Sequence, residues 1–104
     1  MRIELKKSKR IIIKIGSSIV NSPNDTDYIS SICDEVSAQI SHGKEIILVT
    51  SGAISKGMSV INITDKPKDI KKLQALAALG QQKLMMMYEK LFSSNNNKTA
   101  QILI

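Results

Sequence analysis

Two short stretches of this chain combine residue types that could hold an anion. In Glu45-Ile46-Ile47-Leu48-Val49-Thr50-Ser51-Gly52-Ala53-Ile54, an apolar run rich in β-branched residues stops at Thr-Ser-Gly, and a helix-compatible pattern follows. In Arg10-Ile11-Ile12-Ile13-Lys14-Ile15-Gly16-Ser17-Ser18, a lysine stands one residue from the end of a similar run, just before a glycine and two serines. Lys14 could offer its ammonium to nucleotide phosphates, and Gly16 would let backbone N–H groups approach them closely. Ser51 could hydrogen-bond a substrate carboxylate, with the N–H groups of Gly52 and Ala53 meeting the same anion at a helix start. Each residue also has a plain structural reading: Lys14 as a lysine snorkelling at a strand end, and Ser51 as a helix N-cap. The G-x-x-x-x-G-K-[ST] phosphate loop is absent, so the first stretch is not a Walker A motif. Together the two stretches suggest a phosphorylated ligand beside a small polar one.

The remaining reactive residue types add no second chemistry. His42 is the only histidine and is better explained as a helix terminator than as a base. Cys33 falls on an apolar helical stripe and reads as core, and being alone it excludes an internal disulfide. No nucleophile–base pair and no metal-ligand spacing is visible. Met85-Met86-Met87 lies within a long helical pattern and reads as packing or subunit contact.

These residues need elements to position them, and the elements alternate. Residues 10–15 read as a strand and Gly16–Thr26 as a loop. Thr26 or Asp27 caps a helix to about Ser41, with Ile29, Ile32, Cys33, Val36 and Ile40 on one face. His42-Gly43 ends that helix, the glycine supplying a left-handed residue. Residues 45–50 read as a second strand and Ser51 to about Ile61 as a short helix. After Asp65-Lys66-Pro67 the longest helix runs from about Lys68 to Phe92, with Ile70, Leu73, Ala77, Gly80, Leu84, Met87 and Leu91 along one stripe. Thr99–Ile104 reads as a third strand. This order predicts an α/β fold, a three-layer sandwich around a mainly parallel sheet. An apolar strand with no covering helix after it is expected either to be covered by another subunit or, the favoured reading, to belong to the front part of a longer domain, and the chain alone is expected to self-associate.

Composition sets the outer limits. The 104 residues form one domain at most, with few aromatic residues, so aliphatics and methionines must fill the core. The net charge of +6 points to an anionic partner. Much of that charge sits in Lys6, Lys7, Lys9 and Arg10 and in Lys66, Lys68, Lys71 and Lys72, clusters that read as solvated faces. The aromatics are not interleaved with the basic residues and no nucleic-acid motif is present, which argues against nucleic acid as a partner. No apolar stretch is long enough to span a membrane, so no membrane association is expected, and a cytoplasmic protein is the default.

Ile13-Lys14-Ile15-Gly16-Ser17-Ser18, and Val49-Thr50-Ser51-Gly52-Ala53-Ile54 followed by Gly57, resemble the two glycine-bearing loops of the glutamate 5-kinases, within the amino-acid kinase family. The resemblance continues through Leu73-Gln74-Ala75-Leu76-Ala77-Ala78-Leu79-Gly80-Gln81, Leu84, Tyr88-Glu89-Lys90-Leu91-Phe92 and Ala100-Gln101-Ile102-Leu103. It covers nearly the whole chain from Arg10 onward. It implies that residues 1–104 are the glutamate-binding front part of an amino-acid kinase domain. The implied reaction is ATP-dependent phosphorylation of the γ-carboxylate of L-glutamate to L-glutamyl 5-phosphate, the first step of proline biosynthesis. Lys14 matches the family lysine that contacts the transferring phosphates, with Gly16 and Ser17 on the ATP side. Ser51 matches the serine of the glutamate-binding loop, with Gly52 and Ala53 beside it. Mg2+ would travel with the nucleotide, and a homo-oligomer is expected. The chain departs from the family in having no counterpart of its downstream acidic and amide residues or of a second phosphate-contacting lysine. The 104 residues alone are therefore expected to be inactive, and the alternative is an inactive remnant or assembly subunit of the kinase fold.

Overall fold

The structure, a computed structural model, describes residues 7–20 and 25–102. Strand β1 (Arg10–Ile15) leads into a one-turn helix, α1 (Ser17–Val20), and then into helix α2 (Asp25–Ser41). Strand β2 (Glu45–Thr50) follows, then α3 (Ala53–Val60) and the long α4 (Ile70–Ser93). The two strands pair in parallel, from Arg10 opposite Glu45 to Ile15 opposite Thr50. Parallel neighbours require a crossover, and α2 supplies it.

The strands alternate, so one register places one apolar set inward. Ile13 and Ile15 from β1, with Ile46 and Leu48 from β2, join Ile29, Cys33 and Val36 of α2 and Leu84, Tyr88 and Phe92 of α4 in a single core. Burying each large apolar side chain contributes about 1.5–3 kcal/mol. The opposite sheet face carries Ile12, Lys14, Ile47 and Val49, all exposed among the described residues. Ile12 keeps 66% of its surface in solvent, unusual for a parallel strand, whose two faces are normally covered.

Helix ends follow local chemistry. Gly43, at φ +84°, closes α2 in the left-handed conformation, its N–H donating to Ile40 O at 2.9 Å. His42 Nδ1 donates to Ala38 O at 2.7 Å, the terminator role expected of it. α4 starts after Asp69, whose carboxylate accepts from the Lys71 N–H at 3.0 Å.

Several expectations are corrected. The stretch read as a loop from Gly16 contains α1, and α2 begins at Asp25, so Thr26 and Asp27 lie inside the helix. Residues 21–24 of that stretch fall outside the described residues. The buried positions of α4 are Leu76, Gly80, Leu84, Tyr88 and Phe92, a strict spacing of four that excludes Ile70. That stripe drifts around the helix because four residues exceed one turn, and its ends serve different neighbours: Gly80 meets α3, while Tyr88 and Phe92 join the core. The third strand at 99–104 is absent over its described part: residues 99–102 pair with neither strand and Ile102 is 83% exposed. A strand exists only when its N–H and C=O groups find a ladder, and an apolar run alone does not supply one.

Candidate functional site

Both strands end at the same edge of the sheet. Lys14 is opposite Val49, Ile15 is opposite Thr50, and the Ser51 N–H donates to Ile15 O at 3.0 Å, carrying the pairing one step past β2. This brings the two glycine-bearing loops side by side. Lys14 projects from the exposed sheet face; Ser17, the first residue of α1, and Ser51 are also exposed. Gly16 O accepts from the N–H groups of Ile19 and Val20 at 3.2 and 3.3 Å, so the first loop turns at once into α1.

That turn drives Val20 into the second loop. Val20 is fully buried, and a Cβ placed on Gly52 would lie 2.8 Å from its Cγ1. Gly52 also has φ +107°, a left-handed region that penalises any side chain. Two independent constraints thus require glycine there. Gly52 is the N-cap of α3 and gives it no side-chain cap, so the amides at the start of α3 are left to other acceptors. Ser51, read from sequence as a possible N-cap, is therefore not one: it stands one residue earlier and α3 lacks a side-chain cap.

A hydroxyl relay supports the loop from beneath. Thr50 Oγ1 donates to Ser51 O at 3.1 Å and lies 2.8 Å from Tyr88 Oη. A threonine has one hydroxyl proton, so with Ser51 O receiving it, Tyr88 is the donor in the second bond. Burial pushes the Tyr88 hydroxyl above its ordinary pKa, with the Thr50 hydrogen bond pulling the other way and Cys33 adding to the rise. Tyr88 thus remains protonated, and a donor, at neutral pH. Sequence reasoning missed both residues. The available signal was Tyr88 itself, four residues after Leu84 on the buried stripe, with a polar tip that needs a partner.

Among the described residues no three His, Cys, Asp or Glu side chains gather where a metal could be held. A shallow hollow lined by Ser55, Met58, Ser59 and Ile63 includes none of the expected site residues. No helix among the described residues is long and apolar enough to cross a membrane.

Two glycine loops at adjacent parallel strand ends, one with a lysine and one opening an uncapped helix, form a site suited to anionic ligands. Residues 9–104 match the amino acid kinase family, and the chain belongs to it. It is similar to the glutamate 5-kinase of Geobacter sp. (strain M21), 39% identical over 108 residues that take in the whole of this chain and 29% of the relative. The glutamate 5-kinase of Burkholderia thailandensis is 40% identical over 107 residues, again across the whole chain and 29% of the relative. That of Polaromonas sp. is 40% identical over 103 residues, 96% of this chain and 27% of the relative. The chain thus spans less than a third of the length of these curated relatives.

Proposed function

We propose that this chain supplies the glutamate-binding and phosphate-contacting corner of a glutamate 5-kinase. In this reading a γ-carboxylate oxygen of L-glutamate attacks the γ-phosphorus of ATP, the bond to the β–γ bridging oxygen breaks, and L-glutamyl 5-phosphate and ADP leave. Such a transfer asks the protein mainly for positioning and charge neutralisation. Lys14 is the cation beside the migrating phosphoryl group, and Gly16 and Ser17 lie against the nucleotide phosphates. Ser51, with the N–H groups of Gly52 and Ala53, holds the glutamate. Neutral donors on that side leave the Lys14 ammonium free of a competing ion pair. Magnesium enters with the nucleotide. The observation that carries the reading is the Ser51 N–H bond to Ile15 O, which joins the two motif-bearing loops at one sheet edge.

The sheet face bearing Ile12, Ile47 and Val49 favours completion by further helices, as a third layer of an amino-acid kinase sandwich. Residues 1–104 then act as one part of a cytoplasmic, oligomeric enzyme of proline biosynthesis, and are inactive by themselves. The test is direct binding followed by a coupled assay. ADP should perturb the amide signals of residues 14–17, and glutamate those of residues 51–53, while ATP with glutamate gives no ADP release above background. Perturbation confined to other residues would remove these loops from the site. Glutamate-dependent ADP release that vanishes in Ser51→Ala would overturn inactivity of the chain alone.

A further inference from the structure

We propose that Tyr88 is a positioning residue for the glutamate-binding loop, acting through Thr50 to orient the Ser51–Gly52 peptide so that the Gly52 N–H faces the ligand. The proposal rests on the assignment of that loop to glutamate. Thr50 belongs to the covered side of the sheet, opposite Ile15, and its hydroxyl meets Tyr88 at 2.8 Å. The same hydroxyl donates to Ser51 O at 3.1 Å. No cis peptide bond occurs among the described residues, and in a trans peptide the C=O and the following N–H point in opposite directions. Holding Ser51 O toward the Thr50 side chain therefore turns the Gly52 N–H away from it. Among the described residues that N–H has no acceptor, while the neighbouring Ser51 N–H is used by Ile15 O.

The peptide needs such a restraint. Glycine, as at position 52, has the least restricted backbone of any residue type, and a flip of the Ser51–Gly52 plane would present a carbonyl oxygen to an anionic ligand in place of an N–H. Val20 limits the space around Gly52 but bonds neither end of the peptide. The relay from Tyr88 distinguishes the two orientations, because only one lets the Thr50 hydroxyl accept from Tyr88 and at the same time donate to Ser51 O. Tyr88 is itself buried at 4% exposure on a stripe shared with Leu84 and Phe92, so its hydroxyl has a fixed origin.

The experiment uses isotope-labelled chain, wild type and Tyr88→Phe, Thr50→Val and Thr50→Ser, with thermal melting of each as a control. Without ligand, the Ser51 carbonyl and Gly52 amide resonances should move in Tyr88→Phe and Thr50→Val and stay at wild-type positions in Thr50→Ser, which keeps the hydroxyl. With L-glutamate as the probe, the first two variants should bind about 3- to 10-fold more weakly, the loss expected for one neutral hydrogen bond. Thr50→Ser should bind as wild type does, even if its melting temperature falls, a pattern that loss of packing does not produce. Unmoved Ser51 and Gly52 signals in Tyr88→Phe overturn the orientation claim, and should that variant fail to fold, Thr50→Val decides it by the same signals. No glutamate response in the wild-type chain overturns the glutamate assignment, whereas the ligand-free spectra still decide whether Tyr88 orients the peptide.

Discussion

A Cβ placed on Gly80 would lie 1.6 Å from the carbonyl oxygen of Ala53, so no side chain fits between α4 and the first residue of α3. Gly57 repeats the relationship one turn along, where an added Cβ would lie 2.1 Å from Leu76 O. The two helices cross with backbone against backbone. Because Ala53 follows directly on the Ser51-Gly52 loop, this crossing sets where the loop stands relative to the core.

Gly80→Ala should consequently be among the most damaging small substitutions in the chain. The obstacles, Ala53 O, Ala53 C and Gly57 N, are backbone atoms, which cannot rotate away, so α3 must shift as a body. A loss of about 3 kcal/mol or more is expected in urea unfolding, at the upper end of overpacking costs. Ala78→Gly, on an exposed position of the same helix, should cost only about 1 kcal/mol. Equal losses at the two positions would contradict the close crossing.

Gly16 is the opposite case. A Cβ there would meet nothing within 4 Å. Gly16→Ala should leave stability within about 0.5 kcal/mol, as surface substitutions commonly do. If phosphate approaches this backbone, the same variant should weaken ADP binding severalfold. Wild-type ADP affinity in Gly16→Ala would take this glycine out of the nucleotide contact.

Lys14→Ala tests the charge. The side chain is exposed and its removal leaves the core untouched, so melting should barely change. ADP affinity should drop by roughly tenfold or more, since charge-assisted hydrogen bonds are worth about 1.5–3 kcal/mol. The outcome that counts against the assignment is unchanged ADP binding at low salt.

Alkaline pH should destabilise the fold through Cys33. Burial pushes its thiol from 9.0 up to about 11, with Asp34 adding to the shift. The folded state therefore holds the proton more tightly than the unfolded chain does. The corresponding stability is complete below pH 9 and is lost as pH rises toward 11, by at most about 3 kcal/mol. Unfolding free energies measured across that window should fall, and Cys33→Ala should flatten the decline after allowance for Tyr88, whose pKa is also raised. An identical slope in both proteins would assign the effect elsewhere.

The bare sheet face should make the isolated chain associate. Ile12, Ile47 and Val49 form an apolar strip beside Lys14. Sedimentation should find dimers or larger species, and Ile47→Lys should shift them toward monomer without lowering the melting temperature. A monomer in the wild-type chain would refute this.

The elements and the two loops were legible in the amino-acid sequence because their signals are local. Apolar runs ending at Gly16 and at Ser51-Gly52, the His42-Gly43 terminator and the periodic stripe of α2 each state their own conformation within a few residues. Lys14, Gly16, Ser17, Ser51, Gly52 and Ala53 lie where those runs end, and pairing of β1 with β2 brings their loops to one edge. What the sequence could not express was which distant groups meet. The spacing of four on α4 follows from sharing that helix between α3 and the sheet, so Ile70 was placed inside and Tyr88 passed over. Thr99–Ile104 has the apolar content of a strand, but a strand depends on a neighbour's hydrogen bonds rather than on its own residues, and the described residues 99–102 have no such neighbour. The Val20–Gly52 contact and the relay from Tyr88 through Thr50 to Ser51 O span 32 to 38 positions, and only the folded chain brings those groups within reach of one another.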